Sequence, residues 1–153
     1  MEDVMNTHRT ILLSLVGACL LFVSTGFAGN PLIPDKPFRE EQLKTIEQNL
    51  VIGLNSGISS LQASAAIVLK QVKLYAPEYD FPEAIIPLMR IVKDENQDVT
   101  TRIAAAVVLH ELRSDRGDYA IKGTAQFTEV DRVKRICSLL VYDRLKEIQS
   151  DHQ

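Results

Sequence analysis

From Leu43 onward, apolar side chains recur at intervals of three and four residues, the spacing that gathers them on one face of an α-helix. Leu43, Ile46, Leu50 and Leu54 form the first such stripe. The NSG stretch at 55–57 ends it, because Gly enters the left-handed conformation of a helix end without a Cβ penalty. Ser59 and Gln62 have the S-x-x-Q spacing of a capping box and predict a second helix, buried along Leu61, Ala65, Val68, Leu69 and Val72 and closed by Pro77. A third helix is expected from caps at Asp80 and Glu83, with Ile85, Leu88, Met89 and Val92 inward and Pro87 in or near the first turn. After the polar turn at 93–98, a fourth runs through Ile103, Ala105, Ala106, Val108, Leu109 and Leu112.

The second and fourth helices are nearly the same helix written twice. A shift of 40 residues places Leu61 on Thr101, Gln62 on Arg102, Ala65 on Ala105, Ala66 on Ala106 and Leu69 on Leu109. Two adjacent small residues let helix backbones approach closely, and the Leu beyond them fills the space beneath. A unit of two helices near forty residues long has the length of HEAT or armadillo repeats, which stack because one pair cannot bury its face alone. The segment AIIPLMRIVKDENQDVTTRIAAAVVLHEL resembles a short bacterial HEAT repeat, with Asp94, Arg102, Ala105 and Ala106 at the matching places and Thr101 where Val is usual. The resemblance spans about residues 40–113.

Farther on, VKRICSLLV at 133–141 puts Cys137 and Ser138 in the Ala-Ala places and reads as a degenerate third inner helix. No outer helix is expected before it, since 113–127 holds two Gly and no sustained stripe, although Tyr119, Ile121 and Phe127 suggest packing against the last helices. The expected fold is therefore all-α: a short α-solenoid of two HEAT-like pairs over 38–149, ended by a degenerate C-terminal capping helix whose charged DRLKE faces water, with a disordered tail at 150–153.

The N-terminus has a different pattern. Thirteen residues without charge, ILLSLVGACLLFV at 11–23, are followed by small residues, with Gly26 and Ala28 at the −3 and −1 places of a cleavage site. This is the layout of a signal peptide, 1–28, and predicts an exported, periplasmic or secreted protein. Glu2 and Asp3 oppose the positive start such peptides have, which points to initiation at Met5. Two other readings stay open: a membrane anchor over 11–28, or a lipobox at VGAC with lipidation of Cys19. The segment 29–37 carries three of the six prolines and reads as an extended linker.

Composition changes the picture little. The 153 residues fit one folded domain, and 46% hydrophobic with 24% charged residues describes an ordinary packed core. The net charge of −3 provides no field for nucleic acid. Cleavage after Ala28 would leave Cys137 as a lone thiol, so no internal disulfide is expected.

Chemistry is sparse. HE at 110–111 lacks the second His of a zinc helix, and DENQD at 94–98 has Val99 where a calcium loop needs Gly, so a capped turn is the better reading. RGD at 116–118 is a short match without weight, and Cys137 on an apolar stripe reads as core. No cofactor, metal or catalytic set is indicated, and the HEAT resemblance implies a protein-binding module. Its candidate partner-binding residues are Lys70, Lys73, Arg102, His110 and Arg113, a basic ladder on the inner helices, joined by Lys134 and Arg135 if they share its face, and suited to an acidic segment of another protein. A self-associating structural cap with exposed Ile67 and Leu74, or an accessory factor of lyase type, is the alternative.

Overall fold

A computed structural model describes residues 38–150. The readings placed on 1–37 (signal peptide, anchor, lipidation at Cys19, start at Met5 and proline linker) and on 151–153 lie outside the described residues. Within them the protein is all-helical: α1 (Glu40–Leu54), α2 (Ser59–Tyr75), α3 (Pro82–Lys93), α4 (Val99–Glu111), α5 (Asp115–Phe127) and α6 (Asp131–Ser150). None of these helices is long and apolar enough to cross a membrane.

Each helix packs on its hairpin partner and on the equivalent helix of the next hairpin. Thus α1 meets α2 and α3, α2 meets α4, α3 meets α4 and α5, and α4 meets α6. Small residues set the closest approaches. A Cβ added to Gly53 of α1 would come within 2.9 Å of the Ala65 Cβ of α2, and Ala66, Ala105 and Ala106 are buried at the crossings. Leu69, Leu88, Leu109 and Val92 fill the space around them.

Three pairs are present where two and a cap are expected. Most of the segment at 113–127 is the helix α5, and its buried stripe of Gly117, Ala120, Ile121 and Thr124 keeps helical spacing with three residues of four too small to signal it. A Cβ at Gly117 would meet Leu109 at 3.2 Å, so the glycine marks close packing on α4. Tyr119 and Phe127 are exposed instead of packing on the last helices. The RGD triplet lies in the first turn of α5 and not in a loop, with Gly117 buried.

Several local expectations are corrected by tertiary contacts. Neither Asp80 nor Glu83 caps α3. Its first turn is capped from α1 by Glu47, whose Oε1 accepts from the Glu83 and Ala84 N–H groups at 2.7 and 3.2 Å while Oε2 accepts from the Tyr79 hydroxyl at 2.9 Å. Phe81, just before that turn, holds a left-handed φ of 50° and is fully buried edge-on to Tyr79. Burial and the Glu47 bond push the Tyr79 hydroxyl up to about 12. Pro87 stands in the middle of α3, with Pro82 taking the N-terminal place. Ser59 and Gln62 do not form a capping box, because both side chains are drawn into contacts with the next pair. Leu61 and Val68 are exposed, not core.

Candidate functional site

The five candidate cations do not form a free ladder. Arg102 is completely buried; its Nε donates to the Val92 carbonyl at 3.1 Å, and its two terminal nitrogens reach Glu95 at 3.0 and 2.7 Å and Thr128 Oγ1 at 3.1 Å. Its ionic partner is Glu95, not the neighbouring Asp94 or Asp98. Asp98 instead caps α4, accepting from the Thr101 N–H at 2.9 Å. Lys70 pairs with Glu111 at 3.1 Å. Lys73 donates to the Pro77 and Tyr79 carbonyls, closing the end of α2. His110 and Arg113 are brought together by α6, opposite Asp143 and Glu147 respectively.

That last meeting forms the densest polar cluster among the described residues. Arg144 of α6 points inward, donating to Asp118 at 3.0 Å, to Glu147 and to the His110 carbonyl. The DRLKE stretch is therefore only partly turned to water. His110 Nε2 lies 3.2 Å from Asp143 Oδ2, and the buried Nδ1 has no partner. In a neutral ring a hydrogen on Nε2 would donate to Asp143, whereas one on Nδ1 would be a buried N–H without a partner. Ligand atoms of His110, Asp143 and Glu147 fall within 4.8 Å of one another, a spacing compatible with a metal. The two oxygens of Glu147 already accept from Arg113 and Arg144, so these side chains make an ion-pair network that ties α4 and α5 to α6. Beside it, Ile121, Leu140, Val141, Leu145 and Ile148 line a cavity of about 210 Å³.

No family model, curated protein or solved structure matches this chain. The arrangement of the helices therefore has to speak for itself.

The surface left open by the packing is the outward side of α2, α4 and α6. Placing Ala65, Ala105 and Cys137 in register brings Ile67, Val107 and Leu139 to the same position of successive helices. Ile67 is 55% exposed, Leu139 is 62% exposed and Val107 is half-buried between them. Leu74 continues the apolar surface on α2 and Tyr142 on α6. The sequence named Ile67 and Leu74 as exposed, and the placing of Cys137 and Ser138 in the Ala-Ala places already aligned Leu139 with Ile67, but the exposure of Leu139 was not foreseen. Glu47, Glu95 and Arg144 were also missed. The available signal was a charged residue on an apolar stripe, as with Glu47 between Leu43 and Leu50.

Cys137 offers no reactive chemistry. It is fully buried, and desolvation pushes its thiol up to about 11, with only a small opposing effect from Arg102.

Proposed function

We propose that residues 38–150 are a short HEAT-like solenoid of three helix pairs that works outside the cytoplasm by binding a segment of another protein along the outward side of α2, α4 and α6. The two rows of like-numbered helices, the small residues at their crossings and the register of the pairs support the architecture. The signal-peptide pattern at 1–28 supports the location. The observation that carries the binding role is the apolar row in which Ile67 of α2 and Leu139 of α6 are exposed and Val107, at the same position of α4, is half-buried. Contiguous exposed apolar surface on a soluble protein marks an interaction site.

The test is photocrosslinking in intact cells, with a reactive residue installed in turn at Ile67, at Leu139 and, on the opposite row, at Thr45. Capture of one and the same protein from 67 and 139 but not from 45 is the expected result. Equal capture from all three, or none from 67 and 139, overturns the role.

A second reading has its own observation. Thr101 and Val108, on the side of α4 that meets α2, are 2% exposed, while their counterparts Leu61 and Val68 are 47% and 38% exposed on α2. Among the described residues the first pair thus has an open end where another pair would stack, as a structural cap docking onto a larger assembly would have. Concentration-dependent sedimentation would favour that reading.

A further inference from the structure

We propose that the outward face of α6 selects, within the binding role above and resting on it, a partner segment that is both apolar and acidic: Leu139 and Tyr142 take its apolar side chains, and Arg132, Arg135 and Lys146 take its carboxylates. These five residues follow one another at steps of three and four, so they lie on a single stripe of the helix, opposite the buried Val133 and Cys137. All five are exposed.

The charges of α6 differ in whether the fold pairs them. Asp143 and Glu147 are occupied by His110, Arg113 and Arg144 in the inward cluster. Arg132, Arg135 and Lys146 have no ion-pair partner among the described residues, and Asp131, one turn before Arg135, stays beyond ion-pair distance. A chain with a net charge of −3 thus presents a local stripe of cations that make no ion pair among the described residues, with Asp143 beside it held by His110. Lys146 Nζ sits 5.7 Å from the Tyr142 ring centroid, so cation and ring offer one joined surface.

The stripe differs from the ladder expected at Lys70, Lys73, Arg102, His110 and Arg113, whose charges or hydrogen bonds are already used within the fold. Its Leu139 also holds the same position as half-buried Val107 of α4 and exposed Ile67 of α2, on helices that pack in sequence. Such a strip matches an apolar segment with acidic flanks better than it matches phosphates alone, which would leave Leu139 and Ile67 without a role.

The probe is a fluorescent peptide of about twenty residues with Leu on one helical face and Glu beside it, titrated against the whole chain and followed by anisotropy. Binding should weaken roughly tenfold or more on replacing the peptide's Glu by Gln, and likewise in the triple variant R132E/R135E/K146E. A peptide with Lys in place of Glu should recover affinity for that variant. Circular dichroism should be unchanged, because all three residues are exposed. The proposal is overturned if the Gln peptide binds equally, if the triple variant binds the Glu peptide as before, or if the chain ignores the peptide altogether. Tighter binding to vesicles of anionic phospholipid than to the peptide would overturn it too, in favour of a membrane surface. Crosslinking from 67 and 139 to one protein that persists in the triple variant would sink this inference alone and leave the broader binding role standing.

Discussion

Gln62 and Arg102 hold the same place in successive inner helices, yet one is a neutral amide and the other a buried cation. Both turn back to a carbonyl near the end of the preceding outer helix, Leu54 at 2.9 Å for Gln62 and Val92 at 3.1 Å for Arg102. Both also reach forward to the turn of the next pair. Gln62 Oε1 accepts from Gln97 at 2.6 Å, and Arg102 reaches Thr128 at 3.1 Å. The position therefore has one job, which is to satisfy a helix end and tie two pairs together. What differs is the cost of failure. The first junction is an amide knot of Gln62, Gln97 and Ser59, whereas the second holds a guanidinium out of water with Glu95 as its counterion.

The largest effect should come from breaking the second junction. Arg102→Ala removes a fully buried side chain together with its hydrogen bonds, strands the Val92 carbonyl and leaves a cavity, for a loss of about 4 kcal/mol. Urea unfolding measures it; a loss below about 1 kcal/mol would mean that Arg102 is not structural. Cys137 gives a second readout, because its buried thiol should react with a disulfide reagent only when the fold opens, and faster in the variant.

Gln62→Ala should cost less, about 1.5 kcal/mol, since a neutral amide contributes ordinary hydrogen bonds and its removal strands one carbonyl. A loss equal to that of Arg102→Ala would show that charge does not distinguish the junctions.

The smallest effect is acid sensitivity. The Arg102 hydrogen bonds hold the Glu95 carboxyl below its usual value of 4.5, so its folded form is depressed relative to the unfolded one. The stability it lends is complete above pH 4.5 and is lost as pH falls from there through the folded value. Glu95 is exposed on its outer side, so screening keeps this contribution under about 1 kcal/mol. Glu95→Gln should flatten the fall in melting temperature below pH 4.5, and Gln97→Ala, in the uncharged junction, should not.

Legibility followed residue size and the distance over which contacts act. The first four helices could be read because Leu, Ile and Val mark a stripe plainly. α5 escaped because Gly117, Ala120 and Thr124 pack by being small, and small residues look alike in helices and loops. Of the candidate site, Ile67 and Leu74 could be foreseen as exposed. The basic residues could not be judged, since whether a cation is free depends on which acid the fold brings beside it.

Periodicity and the Ala65–Ala66 and Ala105–Ala106 repeat were enough to determine an all-helical fold for the described residues and its first two helix pairs, because helix spacing is a local property of the sequence. Only tertiary structure decided that Glu47 caps α3, that Arg102 is buried against Glu95, and that α6 draws Arg144 and Glu147 into an inward cluster while Arg132, Arg135 and Lys146 stay exposed without an ion pair. Those outcomes depend on contacts between residues as far as 37 positions apart, which no local pattern encodes.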